Sequence, residues 1–228
     1  MPKPVKVVPR ITAWSFSRLQ DYRKCPLFAK FKHVDKIREP GNDAMARGSA
    51  IDKMGEDFIM GRLKKCPSEV ESFKEEFTEL RKRKAVCQEQ WAFNANWEET
   101  GWFDSDAWLR IKTDVYSLNL KTNTLLLVDN KTGKVREEHE EQVELYALGG
   151  LLKFPELETV DPRIWYTDQG VEVPEEPKLY TRKDLPKLKT YWLKQVKPML
   201  SDTRFAPKPS SNCQWCFFSK KKGGACQY

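Results

Sequence analysis

The stretch IKTDVYSLNLKTNTLLLVDNKTG, Ile111–Gly133, decides the reading of this chain. IKTDVYSLNL and LLLVDNK are both rich in β-forming residues, and the intervening KTNT has a turn composition, so the segment reads as a β-hairpin. With the turn centred near Thr122, residues whose numbers sum to roughly 243–245 lie opposite each other. That register sets Asp114 across from Asp129 or Lys131, and all three groups meet at one end of the sheet. Period-two alternation then puts Asp129 and Lys131 on one strand face and turns Asn130 to the other.

Carboxylates brought together in this way repel each other unless a cation lies between them. Hard divalent ions such as Mg²⁺ and Mn²⁺ prefer oxygen ligands and leave positions open for a substrate phosphate. The pattern points to metal-assisted phosphodiester cleavage, with the metal lowering the pKa of a bound water and the lysine orienting that water or offsetting charge on the phosphate. Read without that chemistry, DNKTG is a polar turn closing a strand.

A chain of 228 residues builds one substantial core, which favours one catalytic domain with small extensions. The formal charge of +7 favours a polyanionic partner, although the basic residues are spread out apart from Arg81–Lys84 and Lys220–Lys222. Only His33 and His139 are present, which argues against a histidine-based hydrolase or a multi-histidine metal site; His139, in the first turn of the helix leading to Gln142, reads as solvent-facing, with an approach to the carboxylates as the alternative. No apolar stretch is long enough to span a bilayer, and MPKPVKVVPR lacks the apolar centre of a secretory signal. A cytoplasmic protein is expected, or one in the host cytoplasm if phage-encoded, with its six cysteines reduced or metal-bound.

Those cysteines are unevenly placed. Cys213, Cys216 and Cys226 crowd one end, Cys25 precedes Pro26 far upstream, and Cys66 and Cys87 stand apart. Cys213-x-x-Cys216 has the bite for two thiolates on one metal or cluster; Cys226 is a third candidate and Cys25 a fourth. The same residues also read as incidental thiols in a flexible tail.

A coarse pass predicts a capping box at Ser17–Gln20 opening a short helix, a helix over 43–60, and a charged helix from Pro67 to about Cys87. A strand-rich segment over 89–120 precedes the hairpin turn, and Glu137–Phe154 has helical periodicity. Arg163–Thr167 reads as a strand, and Thr181–Leu200 as a helix capped by Thr181 and Asp184. Phe205–Tyr228 reads as an irregular extension tied down by something other than a core.

Taken in order, Cys25-Pro26 after a Ser-x-Ser start, Arg47-Gly48-Ser49-Ala50-Ile51-Asp52, Asp114, Asp129-Asn130-Lys131-Thr132-Gly133-Lys134, Gln142 with Tyr146, and the terminal cysteines resemble the RecB-type branch of the PD-(D/E)XK nucleases. Within it, the closest likeness is to small CRISPR-associated and bacteriophage exonucleases that bind an iron-sulfur cluster. The resemblance covers nearly the whole chain. It implies an α/β fold with a central mixed β-sheet flanked by helices, and a Mg²⁺- or Mn²⁺-dependent exonuclease acting on single-stranded DNA or DNA ends in recombination, repair or phage DNA processing. It implies one nuclease domain over 1–228, with an N-terminal helical segment at 12–40, a core at 41–204 and a cluster-bearing extension at 205–228.

Carried over residue by residue, the resemblance makes Asp114 and Asp129 metal ligands, Lys131 the catalytic lysine, and Asn130 a donor of its backbone carbonyl to the metal. Gln142 and Tyr146 match a Q-x-x-x-Y helix whose i, i+4 spacing sets both on one face toward DNA; Tyr146 reads equally as a core residue with a satisfied hydroxyl. Where the family has histidine, Asp52 stands here and is expected to ligate the metal, or else to be a surface helix residue, with Glu56 one turn on as its neighbour. Cys25, Cys213, Cys216 and Cys226 are implied ligands of a structural 4Fe-4S cluster, with Zn²⁺ as the alternative. The Cys216–Cys226 gap exceeds the family's spacing, and Ser219 to Gly224 reads as a flexible loop. Two other functions remain open: a non-catalytic DNA-binding or assembly subunit, and a restriction-type endonuclease, which shares the triad but is not expected to carry the terminal cysteines. No membrane partner is expected, and oligomeric state is not legible.

Overall fold

The computed structural model describes residues 10–136 and 138–228. Residues 1–9, where most of the MPKPVKVVPR segment lies, and Glu137, the expected start of a helix, fall outside the described residues. The chain divides into two compact units, one formed by 41–191 and the other by 1–40 with 192–228.

In the larger unit, helix α3 (Asp43–Ile59) starts at Asn42, whose side chain accepts from the Met45 N–H at 2.9 Å. A 3₁₀ segment Ser68–Phe73 leads into α4 (Lys74–Lys82). The charged helix expected to reach Cys87 therefore stops earlier. The chain turns at Lys84, with φ of 54°, and Val86–Cys87 pairs as strand β1. Strands β2 (Gln90–Phe93), β3 (Glu99–Thr100) and β4 (Leu109–Lys112) form a three-stranded antiparallel sheet.

The main sheet holds β1, β5 (Val115–Asn119), β6 (Thr124–Lys131), β7 (Thr159–Tyr166) and β8 (Val171–Val173) in that order, with β9 (Tyr180–Thr181) also on β7. It is mixed: β5 and β6 are antiparallel, whereas β6 and β7 are parallel and are linked by helix α5 (Glu138–Lys153). The hairpin register pairs Val115 with Val128 and Tyr116 with Leu127, a sum of 243 in each case, which aligns Asp114 with Asp129.

IKTDVYSLNL, however, is not one strand. Its first part belongs to the small sheet and its last to the main sheet, and the break falls at Thr113-Asp114. Thr113 is fully buried with its N–H and hydroxyl both on the Glu89 carbonyl, and the Asp114 carbonyl accepts from Gln88 N–H at 2.9 Å. The first carboxylate thus stands where the chain changes sheets.

Strand alternation assigns the two faces of the main sheet. Val115, Val128 and Trp165 join Ile51, Phe58, Phe73, Phe77 and Leu80 in a core beneath α3 and α4. Phe73 stacks on Trp165 with ring centroids 5.1 Å apart, an arrangement worth about 1 kcal/mol beyond the buried area. Leu125 and Leu127 face the other way, toward α5, where a Cβ on Gly150 would come 2.7 Å from Leu125 and 3.1 Å from Val160. That close approach seats α5 directly on β6 and β7. After a capping box at Thr181 and Asp184, helix α6 runs over Leu185–Ser201.

The smaller unit contains α1 (Phe16–Lys24) and α2 (Pro26–Ala29), which continues as a π-helical turn over Lys30–Val34. The N-cap is Ser15, two residues before the expected box, and its hydroxyl accepts from Arg18 N–H. Residues 205–228 are held by a small apolar core that they share with the α2 region, which the sequence reading did not expect. Phe205 and Phe218 are 1% exposed, and Phe218 packs edge-on against Phe28 at 5.1 Å. Among the described residues no helix is long and apolar enough to cross a membrane.

Candidate active site

At the end of the β5–β6 hairpin Asp114, Asp129 and Lys131 come together in the larger unit, within electrostatic range of Asp52. Asp114 Oδ2 accepts from the Asn130 N–H at 2.9 Å, which ties it to the facing strand. Asp129 is 3% exposed. Its Oδ1 accepts from the Tyr146 hydroxyl in a short hydrogen bond and from Gln142 Nε2 at 3.3 Å, while Lys131 Nζ stands 2.6 Å from Oδ2. Asp52 reaches the group from α3.

The local sequence explains how α3 delivers it. A Cβ on Gly48 would stand 3.3 Å from Thr132 Oγ1, so the helix passes close to the strand end, and Ile51 is 3% exposed in the core. The next residue, Asp52, is then held at the edge of the sheet. Arg47 grips Asp168 with two bonds of 2.7 and 2.8 Å, and Asp168 accepts from Gly133 N–H at 2.9 Å. This clamp joins the start of α3 to the loop that follows Lys131. Gly133 has φ of +88°, a conformation that glycine adopts without strain.

The electrostatics follow from enclosure. Loss of water, with Asp129 as the next largest contribution, pushes the Asp52 carboxyl up to about 6, against the opposing pull of Lys131 and Lys112. Desolvation, then Asp129 and Asp52, drives Asp114 well above the usual carboxylate range. Burial lowers the Lys131 pKa, but Asp129, Asp114 and Asp52 together raise it further, so Lys131 stays cationic. An excess of buried negative charge confined to oxygen donors is the environment that a hard divalent cation neutralises. Among the described residues, no three His, Cys, Asp or Glu side chains are posed together as a metal-binding group. The donor chemistry of Asp52, Asp114 and Asp129 fits such an ion, with Lys131 holding one Asp129 oxygen.

Gln142 and Tyr146 lie one turn apart on α5, and Gln142 Nε2 donates to the Tyr146 hydroxyl at 2.8 Å. Tyr146 is 4% exposed, and burial together with Asp129 and Asp114 holds its phenol far above the ordinary value. It is a core residue whose hydroxyl is spent on Asp129. Asn130 faces the α3 side, nearly buried, with no hydrogen-bond partner for Oδ1 among the described residues. Glu56 is engaged by Arg62 at 2.7 Å and Lys53 at 3.2 Å.

His139 departs from its expected solvent-facing position. It is half-buried, stacks on Tyr166 with centroids 5.7 Å apart, and shares a short hydrogen bond with the Tyr166 hydroxyl. Burial and nearby Lys131 lower its pKa. Since Tyr166 pairs with Lys131 across β6 and β7, strand register brings His139 beside the site, the alternative that its place at the start of the helix had offered. The Asp168 clamp and Lys112 were missed.

In the smaller unit Cys25, Cys213, Cys216 and Cys226 line one cavity of about 40 Å³, walled by Phe28 and Phe218. Lys208 N–H donates to Cys25 Sγ and Ser210 N–H to Cys213 Sγ, both at 3.4 Å, and the Phe218 N–H reaches Cys216. All six cysteines are free thiols. The Ser219–Gly224 loop, read as flexible, is an ordered turn. Gly223 has φ of 71°, Cys226 N–H donates to the Phe218 carbonyl at 2.8 Å, and a Cβ on Gly224 would stand 2.3 Å from the Phe218 backbone.

Residues 13–115 match the model of the PD-(D/E)XK nuclease superfamily. Over that stretch, which is less than half of the chain, the sequence is similar to that superfamily. Its mixed sheet flanked by helices is consistent with the PD-(D/E)XK fold, and the match includes Asp52 and Asp114. Among solved structures, the chain is similar to SSO0001, at 12% identity over 93% of this chain and 87% of the other, with a TM-score of 0.41. It is also similar to a protein from Eubacterium rectale named "Putative exonuclease", at 12% identity over 90% of this chain and 87% of the other, with a TM-score of 0.46. A search among curated proteins returns no match. The match supports a nuclease, with DNA as the implied substrate.

Proposed function

We propose that the chain is a Mg²⁺- or Mn²⁺-dependent DNA exonuclease working on single strands or free ends. The observation that carries this reading is Asp114 tied to the Asn130 N–H beside Asp129, with Lys131 Nζ 2.6 Å from the Asp129 carboxylate and Asp52 within electrostatic range. The three carboxylates would hold the metal, with Asp52 in the histidine slot and the Asn130 carbonyl as a further donor. When bound, the ion supplies Lewis acidity at the phosphate and a water of lowered pKa. Lys131, cationic across the working pH range, offsets phosphate charge and orients the attacking water. Tyr146 and Gln142 fix the Asp129 carboxylate through its Oδ1, so that Oδ2 keeps a single direction. The resemblance to RecB-type exonucleases supports action at DNA ends.

The same reading gives the four cysteines of the smaller unit a 4Fe-4S cluster with a structural role. Four thiols on one apolar cavity, with backbone N–H groups at three sulfurs, fit cluster ligation, in which such hydrogen bonds tune the sulfurs. Zinc is the alternative occupant.

The test is a nuclease assay on end-labelled linear DNA and on circular DNA, with and without Mn²⁺. Mononucleotide release from linear substrate alone, dependent on Mn²⁺ and lost in Asp129→Ala and Lys131→Ala, is expected. Titration calorimetry should show weaker Mn²⁺ binding in Asp129→Ala and little change in Lys131→Ala. Cleavage of circular DNA at a similar rate makes the enzyme an endonuclease; full activity of Asp129→Ala refutes the assignment of the site.

A further inference from the structure

The face of the three-stranded sheet that turns away from α5 has no part in the reading above. Along β2 and β4, Trp91, Phe93, Leu109 and Ile111 are at most 3% exposed, and a Cβ on α5 Gly149 would meet both Ile111 and Trp91. Alternation therefore sends Arg110 and Lys112 to the opposite face. Lys112 is exposed, and its charge is felt at Asp52, so this face begins beside the carboxylates. Two residues back, the Arg110 guanidinium lies 5.8 Å from the Trp102 ring centroid and its Nε donates to the Trp102 carbonyl at 2.9 Å. The next residue, Phe103, is 89% exposed, the most exposed of the large apolar side chains.

This is an unusual place for an aromatic ring in a protein with a sound core, since Phe103 gains nothing there from folding. The neighbouring acids are occupied: Asp104 and Asp106 accept from the Thr100 hydroxyl, Asp104 also from Gly101 N–H, and Glu99 pairs with Lys153. Cations in line with the site, followed by a guanidinium-backed indole and a bare phenyl ring, form the pattern that holds unpaired nucleotides. The cations meet phosphates, and the rings offer stacking that a base-paired helix cannot use.

We propose that this face is the track along which the single-stranded part of a DNA substrate reaches the carboxylate site, with Lys112 and Arg110 on its phosphates and Trp102 and Phe103 stacked on its bases. The proposal rests on the nuclease reading for its substrate class.

The test uses Phe103→Ala and Lys112→Gln in the full chain, both at exposed positions, with thermal melts to verify an intact fold. Anisotropy with a fluorescein-labelled oligo(dT), and with a duplex of equal length, is measured in Ca²⁺ across a salt series. Phe103→Ala should weaken oligo(dT) binding about tenfold and leave duplex binding unchanged. Lys112→Gln should lessen the slope of log K against log salt by about 0.7. Unchanged oligo(dT) affinity in both variants, or equal loss on duplex in Phe103→Ala, overturns the track. Hydrolysis of bis(p-nitrophenyl) phosphate in Mn²⁺, a diester too small to reach Phe103, separates the two readings. Phe103→Ala should keep that activity, whereas an unmodified protein that lacks it fails as a nuclease and leaves the oligo(dT) result to decide the track by itself.

Discussion

Replacing Asp52 by asparagine removes one of three negative charges while keeping the side chain's shape, and its effect on stability should reverse with metal. In the metal-free protein the folded-state pKa of Asp52 is raised from 3.8 to about 6 by lost hydration and by Asp129. A carboxyl raised on folding favours the neutral form. Its contribution is greatest below its unfolded pKa and is lost as pH rises through the folded value, so stability falls between about pH 4 and pH 6 on account of Asp52 and continues to fall above that through Asp114. About two units at 1.36 kcal/mol each set a ceiling of ~3 kcal/mol, and solvent screening of a half-buried group reduces this to ~1–2 kcal/mol. Asp52→Asn should therefore stabilise the protein at pH 8 in EDTA, raising Tm by roughly 2–8 °C for a chain of this size. With saturating Mn²⁺ the order inverts, because the unmodified protein gains the binding free energy of the ion and the variant gains less. Differential scanning fluorimetry at pH 5 and pH 8, with EDTA and with Mn²⁺, gives the four values needed. A lower Tm for Asp52→Asn in EDTA at pH 8, with an unchanged Mn²⁺ response, would refute the like-charge reasoning and make Asp52 an ordinary helix residue.

Tyr146→Phe deletes the hydroxyl that donates to Asp129 inside the core; urea denaturation should show a loss of about 1–3 kcal/mol. Gly224→Ala drives a methyl into the Phe218 backbone, so the turn carrying Cys226 must open, and labelling with a thiol reagent should speed up at Cys226 while Cys66 stays unchanged. Cys25→Ser and Cys213→Ser should lower bound iron and solubility in anaerobically purified protein far more than Cys66→Ser or Cys87→Ser; stoichiometric zinc in colourless protein would identify the other occupant.

The hairpin was legible because its signals are local. Alternation in LLLVDNK sends Leu125, Leu127, Asp129 and Lys131 one way and Leu126, Val128 and Asn130 the other, and the KTNT turn sets the register. The sheet change at Thr113 was hidden, since IKTD and VYSLNL are equally β-rich and composition does not say which partner a strand will find. Partners distant in sequence were invisible for a related reason: Arg47 finds Asp168, and His139 finds Tyr166, only after β6 and β7 pair in parallel. In the cysteine-rich segment, lysines and glycines suggested looseness, yet Phe205 and Phe218 are enough to bury a small core and Gly224 serves close packing.

The smaller unit is assembled from the two flanks of the chain, 1–40 and 192–228, with the whole of 41–191 between them in sequence. During synthesis the continuous segment emerges complete and can fold at once, as such segments generally do. The early flank cannot. Cys25 and the Phe28 ring leave the ribosome long before Phe218 and Cys226, and until those arrive a thiol and an aromatic surface remain uncovered. The cavity can therefore close around Cys25 only after Phe218 and Cys226 have been made.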